Sequence, residues 1–192
     1  MEEFKKLYEE IKKIPKENVE NELIPKLLTM LDKAKEIGFV NIVKEIPDVM
    51  DNMRTIIAEF EPEEAIEIIK KYMPVVYDSV IDFVEQNEEL QEELEDIEDT
   101  SLALMVDDAD FTITLIIKDA KISYQMDIPE NVDLTLKLNK STMKNFMTND
   151  MDPMQAYMSG EIKAEGNITK AMGLRPILDF ISEELGIEIL GL

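Results

Sequence analysis

Along the first half of the chain, Met1 to about Asp99, apolar residues recur every three or four positions with few β-branched alternations, which predicts helix throughout. From Ser101 the period drops to two. Leu102–Val106, Phe111–Lys118, Lys121–Met126 and Val132–Leu138 are β-rich runs separated by turns such as Asp107-Asp108-Ala109-Asp110 and Pro129-Glu130-Asn131, so they read as a meander of four strands. Phe111, Ile113, Leu115 and Ile117 alternate strictly, so one face is expected to meet a core while Thr112, Thr114 and Lys118 mark the other. Helical spacing then returns. Asn139 or Ser141 suits the cap of a helix carrying Met143, Phe146 and Met147, and Asp152-Pro153 starts another carrying Met154, Tyr157 and Met158, ended by Ser159-Gly160. Glu161 to Glu165 alternates as a fifth strand, Gly166-Asn167 turns the chain, and Ile168 to about Leu185 closes with a helix. The expected class is α+β, with an N-terminal helical bundle over residues 1–99 and a five-stranded sheet covered by helices over residues 100–192.

Within the helical half, Ile24-Pro25, Ile46-Pro47 and Met73-Pro74 each pair an apolar residue with proline. After each proline, apolar residues recur two, six and nine positions on: Leu27, Leu31, Ala34; Val49, Met53, Ile56; Val76, Val80, Phe83. This predicts three helices with proline in the first turn, where the missing amide proton costs nothing. The spacings of 22 and 27 residues are too unequal for a regular solenoid, which leaves a small antiparallel bundle. Gly38 suits a helix end and Glu61-Pro62-Glu63-Glu64 a helix start. The last bundle helix is expected to run on from Glu85 to Asp99, where nine of fifteen residues are acids, none is basic, and Leu90, Leu94 and Ile97 keep a narrow apolar stripe. That stretch reads as a solvated connector. The sharper alternatives are a docking surface for a basic protein partner at residues 85–99, or a coiled-coil contact with a second copy that makes a homodimer.

Composition narrows the chemistry. The chain has no histidine and no cysteine, so Ser-His-Asp triads, histidine or thiolate metal sites, cysteine nucleophiles and the usual general base near neutral pH cannot be built from it. Unbroken apolar runs such as Leu102–Val106 fall far short of a span, so no integral membrane protein is expected. The opening MEEFKKLYEE is amphipathic and charged, unlike a secretory signal, which makes the cytoplasm the expected location. The net charge of −23 repels phosphate backbones and anionic headgroups over a Debye length of ~8 Å, so no nucleic-acid partner is expected. Residues 1–99 carry 28 acids against 12 bases and residues 100–192 carry 15 against 8, which places most of the excess on the helical half. Asp107 with Asp110, and Asp150 with Asp152, are the acid pairs that calcium or a shared proton would need. No loop has the Asp-x-Asp-x-Asp-Gly pattern with a trailing glutamate, and turn aspartates commonly serve as caps. No metal, cofactor or catalytic residue is therefore expected, and the chain does not read as an enzyme.

The stretch DPMQAYMSGEIKAEG, Asp152 to Gly166, with the apolar helical segment that follows it, resembles the C-terminal signature of the sterol carrier protein type 2 family. The family's proline, methionine, aromatic, glycine, lysine and second-glycine pattern is carried here by Pro153, Met154, Tyr157, Gly160, Lys163 and Gly166. Val132 to Leu138 is similar to the family's last meander strand, Ser141 to Thr148 to the helix after it, and Ala171 and Leu174 to the closing helix. The resemblance covers roughly residues 100 to 190 and leaves the acidic helical half unassigned. The chain departs from the family between its second and third strands, where Asp119-Ala120 stands in place of a glycine turn.

That resemblance implies a non-catalytic domain that encloses a lipid tail in an apolar tunnel between sheet and helices. Six of the thirteen methionines fall between Met143 and Met172, and methionine adapts its shape to varied ligands. The lipid-binding residues it implies are Met143, Phe146, Met147, Met154, Tyr157 and Met158, with Leu174, Ile177, Leu178 and Ile181 from the last helix. Sterol, acyl chain, quinone and isoprenoid all remain open as the apolar lipid. Ile187 to Leu192 reads as a latch over the tunnel, a membrane-touching tip or a tail packed on its own domain. Two functions follow: a cytosolic lipid-binding or lipid-transfer protein, or a scaffolding protein that presents an isoprenoid lipid or substrate to a partner enzyme.

Overall fold

The computed structural model describes residues 1–14 and 22–185. Its contacts gather into two units, residues 1–80 and residues 81–192, and the division falls inside a helix. Ile187 to Leu192 lies outside the described residues.

The first unit contains α1 (Glu2–Ile11), α2 (Ile24–Ile37), α3 (Phe39–Glu45), α4 (Val49–Ala58) and most of α5 (Pro62–Glu85). Gly38, at φ 85°, ends α2 and turns the chain straight into α3, a conformation that a side chain would strain. At the start of α5 the Glu64 carboxylate accepts the Glu61 N–H at 3.2 Å, which closes the helix entrance as a capping box does. Leu27, Met30 and Leu31 of α2 and Ala65, Ile68 and Ile69 of α5 are almost wholly buried. Phe39 meets Tyr72 edge to face, with ring centroids 6.0 Å apart. Around this core, Lys26–Glu10 at 2.7 Å ties α2 to α1 and Lys5–Glu45 at 3.0 Å ties α1 to α3.

Two expectations for this half are corrected. Pro74 does not start a helix but sits inside α5. A proline there forfeits one backbone hydrogen bond, yet the buried face that runs through Ile69 and Tyr72 before it and Val75 and Ser79 after it holds the helix on both sides. The inward positions are consequently Val75 and Ser79, while Val76, Val80 and Phe83 are half-buried. Nor does the helix run unbroken to Asp99. α5 stops at Glu85, and Asn87 caps a separate helix, α6 (Glu88–Glu95), by accepting the Leu90 N–H on its side-chain oxygen at 3.2 Å.

The second unit begins with the end of α5 and with α6, whose Leu90 and Leu94 are fully buried. Its sheet comprises β1 (Thr100–Val106), β2 (Phe111–Lys118), β3 (Lys121–Gln125), β4 (Leu134–Leu138) and β5 (Lys163–Gly166), in the order β3-β2-β1-β4-β5. The expected four-strand meander is therefore corrected: β1, β2 and β3 are antiparallel neighbours, but β4 lies parallel to β1 on its other edge. A parallel neighbour needs a crossover rather than a hairpin, and residues 126–133 provide the return. The landing point is fixed by side chains. Asp133 accepts from the Ser101 N–H at 2.9 Å and hydroxyl at 3.0 Å, and its own N–H donates to the Ser101 hydroxyl at 2.9 Å.

After β4 come α7 (Lys140–Met147), α8 (Pro153–Ser159), β5, α9 (Ile168–Met172) and α10 (Arg175–Leu185), with α10 packed on α6. The single closing helix is corrected to two. Pro176 has no amide proton to bond the turn before it, so the helix restarts at Arg175 after Gly173-Leu174. The β2–β3 hairpin turns on Asp119 at φ 50° and Ala120 at φ 57°. Both central residues are left-handed, as a tight hairpin demands, which is why the family's glycine has a physical role at this turn.

Candidate functional site

Pairing sorts the sheet into two faces, because residues directly opposite one another project to the same side. Leu102 faces Leu115 and Leu134, Leu104 faces Ile113 and Leu136, and Val106 faces Phe111 and Leu138, so one face is apolar across all three central strands. The other face carries Ser101, Ala103, Thr114, Thr135 and Lys137. Coverage of the apolar face is uneven: Leu102, Val106, Phe111, Ile113, Leu134 and Leu138 are buried, but Leu104, Leu115 and Leu136 are only half-buried. Three leucines on central strands thus keep part of their surface open.

The helices that follow are held by short polar locks. Asn139 caps α7 by accepting the Thr142 N–H at 2.9 Å, and Asp108 accepts the Lys140 N–H at 2.7 Å. Asp152 caps α8 through the Gln155 N–H at 2.7 Å, and Asp150 accepts the Thr148 hydroxyl at 2.6 Å. Two of the aspartates considered for metal or proton chemistry, Asp150 and Asp152, are thus engaged at helix ends. Gly160, left-handed at φ 82°, closes α8, and the Ala156 carbonyl accepts the N–H groups of Glu161 at 2.9 Å and Ile162 at 3.1 Å.

Ala156 is the inward side of α8, and the opposite side is apolar too. Met154, Tyr157 and Met158, spaced as one helical stripe, are 66%, 44% and 80% exposed. All three border solvent. Of the other sequence-derived lining residues, Met143, Leu174, Ile177 and Ile181 are buried, and Phe146, Met147 and Leu178 are half-buried. The ten residues therefore divide into a packed group, a half-covered group and an open stripe. Selection by helical methionine and aromatic spacing does not reach Leu104, Leu115 and Leu136, the half-buried leucines that strand alternation places on the apolar face of the sheet.

Past β5, Gly166 comes so close to strand β4 that a Cβ would collide with the Asp133 carbonyl oxygen. α9 is then pinned by Lys170, whose ammonium lies 2.9 Å from the Asp133 carboxylate and donates to the Asp99 carbonyl at 2.8 Å. Lys170, helped by the Ser101 N–H and hydroxyl, holds the Asp133 carboxyl below the usual carboxylate range despite desolvation. The same contact raises the Lys170 ammonium above its ordinary value. The site contains apolar surface, caps and one ion pair. That arrangement suits the binding of an apolar tail.

The family model for the SCP-2 sterol transfer family matches residues 81–179, just over half of the chain, and its start coincides with the start of the second unit. This chain belongs to the SCP-2 sterol transfer family. Among curated relatives, the Non-specific lipid-transfer protein-like 1 of Caenorhabditis elegans is 42% identical over 48 residues, which are 25% of this chain and 41% of that protein. This SCP-2 chain thus matches about two fifths of that relative's length. Similar solved structures include the sterol carrier protein domain 2 of Helicoverpa armigera, at 19% identity and TM-score 0.42, covering 61% of this chain and 89% of that one. Sterol Carrier Protein 2 from Yarrowia lipolytica, in its apo form, gives 16% identity and TM-score 0.40 over 52% and 90% of the two chains. No helix among the described residues of this SCP-2 protein is long and apolar enough to cross a membrane.

Proposed function

We propose that the protein is a non-catalytic, cytoplasmic lipid-binding or lipid-transfer protein whose second unit takes up the apolar tail of a sterol, acyl chain, quinone or isoprenoid. The observation that carries this reading is the open stripe of Met154, Tyr157 and Met158 on a helix capped at both ends. Apolar surface held in water is costly, and each methylene of a tail laid against it contributes ~0.8 kcal/mol before ordering costs. The half-covered leucines of the sheet offer a second apolar surface in the same unit. Membership of the SCP-2 sterol transfer family supports the same reading.

A partner-presenting role is favoured by one further observation. All nine acids between Glu85 and Asp99 are exposed, while Leu90 and Leu94 are buried within the second unit and are not on offer to a second copy. A basic partner enzyme that receives the cargo would meet this acidic face, and membrane contact would meet repulsion from anionic headgroups.

The test is native mass spectrometry of the full chain purified without detergent, followed by organic extraction and titration with the fluorescent fatty acid cis-parinaric acid. Retention of a stoichiometric lipid, or saturable probe binding that Met154→Asp with Met158→Asp abolishes, is the expected result. A protein that carries nothing and leaves the probe in water would refute the carrier reading.

A further inference from the structure

Sulfur in this chain is carried by methionine alone, since the sequence has no cysteine. The methionines divide sharply by burial. Met30, Met53, Met73 and Met143 lie in cores, whereas Met126, Met154, Met158 and Met172 are exposed, and all of these exposed ones belong to the second unit. In the first unit even the half-buried Met50 has its sulfur engaged, accepting the Tyr72 hydroxyl at 3.2 Å. Of the exposed methionines, Met154 and Met158 alone share an element. They stand one turn apart on α8, in the stripe they form with Tyr157, so both thioethers belong to one patch. Buried Ala156 keeps that stripe turned outward, with Asp152 capping one end of the helix and Gly160 the other.

We propose that Met154 and Met158 form a reversible oxidation site for hydrogen peroxide, and that their sulfoxides expel the lipid tail. The proposal rests on the reading of this stripe as the seat of that tail. In the reaction the O–O bond of the peroxide breaks and an S–O bond forms; sulfur loses two electrons, and the second oxygen leaves with both protons as water. Each thioether becomes a polar sulfoxide whose oxygen accepts hydrogen bonds. Facing solvent, that oxygen is hydrated and α8 keeps its place. Beneath a lipid tail it loses its water to methylenes that supply no donor, so the tail is the species driven off. Exposure also permits the return step, because a reductase reaches these sulfoxides without unfolding the domain. Met143, at 0% exposure, is the opposite case: its oxidation would need the packing of α7 to open and would damage a core.

The test treats the full chain with hydrogen peroxide, removes the peroxide, locates sulfoxide by peptide mass spectrometry and measures the affinity for cis-parinaric acid. Sulfoxide is expected at Met154 and Met158 well before the buried methionines, with probe binding weakened about tenfold or more and the unfolding midpoint unchanged. Methionine sulfoxide reductases of both epimer specificities should restore binding on the natural chain. Met154→Leu with Met158→Leu removes both sulfurs; whatever its starting affinity, its treated-to-untreated ratio should approach one. Met126→Leu with Met172→Leu should leave the loss in place. Earlier oxidation of the buried methionines, a loss that follows a lowered unfolding midpoint, a loss the reductases do not reverse, or one that persists without the two α8 sulfurs would each overturn the proposal. Undiminished binding by the oxidised chain would overturn the switch alone, whereas an untreated chain that binds no probe would refute the carrier reading and the switch with it.

Discussion

Residues 1–80 and 81–192 treat their apolar side chains differently. In the first unit no large apolar residue among those described is well exposed, and its core is closed around α2 and α5. In the second, Met154, Tyr157, Met158, Ile168 and Met172 on the late helices, and Met126 and Ile128 in the crossover, are all exposed by more than a third. Scattered exposed apolar residues need no explanation, but three on one stripe of one capped helix do. The contrast separates a unit stabilised by its own packing from one that keeps apolar surface available, and mutations can test it.

The largest effects should come from crossing the two classes. Leu27→Ala, at a fully buried position of α2, should destabilise the first unit by about 2–5 kcal/mol, since it leaves a cavity as well as losing apolar contact. Met158→Ala, in the open stripe, should move stability by no more than about 0.5 kcal/mol while weakening probe binding. Chemical denaturation of both variants, read alongside cis-parinaric acid titration, makes the comparison. A Met158→Ala loss as large as that of Leu27→Ala would show that the stripe is packed surface and would erase the distinction between the units.

A middle-sized effect is expected at the β2–β3 hairpin, where the chain departs from its family. Ala120 sits at φ 57°, in a region that costs a non-glycine residue ~1 kcal/mol or more, partly offset by the larger unfolded-state freedom of glycine. Ala120→Gly should therefore stabilise the second unit by up to about 1 kcal/mol and leave the first unchanged, as followed by exchange in β2 and β3. Destabilisation by this change would mean that the alanine methyl contributes packing that outweighs the strain of the turn.

The sequence marks some of this contrast and hides the rest. The strict alternation of Phe111, Ile113, Leu115 and Ile117 announces β2 and its inward face, because a two-residue period has no other structural reading. The same alternation is silent on neighbours, so β4 pairs with β1 instead of β3. The deciding contact joins Ser101 to Asp133, residues of ordinary type 32 positions apart. Helical spacing likewise groups Met154, Tyr157 and Met158 on one face without saying whether that face meets core or water. Ala156, a small residue on the opposite side, takes the inward place, so the larger residues are turned out. Pro74 misleads for the reverse reason: local preference marks a helix start, while burial on both sides carries α5 straight through.

The smallest effect concerns how the second unit holds α9, which bears the exposed Ile168 and Met172. Asp133 has its carboxyl depressed below the ordinary 3.8, chiefly by Lys170, and so contributes stability that is fully present above its unfolded-state value and lost as pH falls through the lower folded one. Lys170 has its ammonium raised above the ordinary 10.5 by Asp133, so its contribution is fully present below that value and lost as pH rises through the higher folded one. The melting difference between the natural chain and Lys170→Met should therefore be flat between these limits and shrink on either side. The pair is partly exposed, so high salt should shrink it as well. Exchange in α9 should quicken in Lys170→Met across the plateau, while α2 and α5 should not respond. A melting difference that persists unchanged at pH values well below 3.8 would show that the lysine stem, rather than its charge, anchors α9.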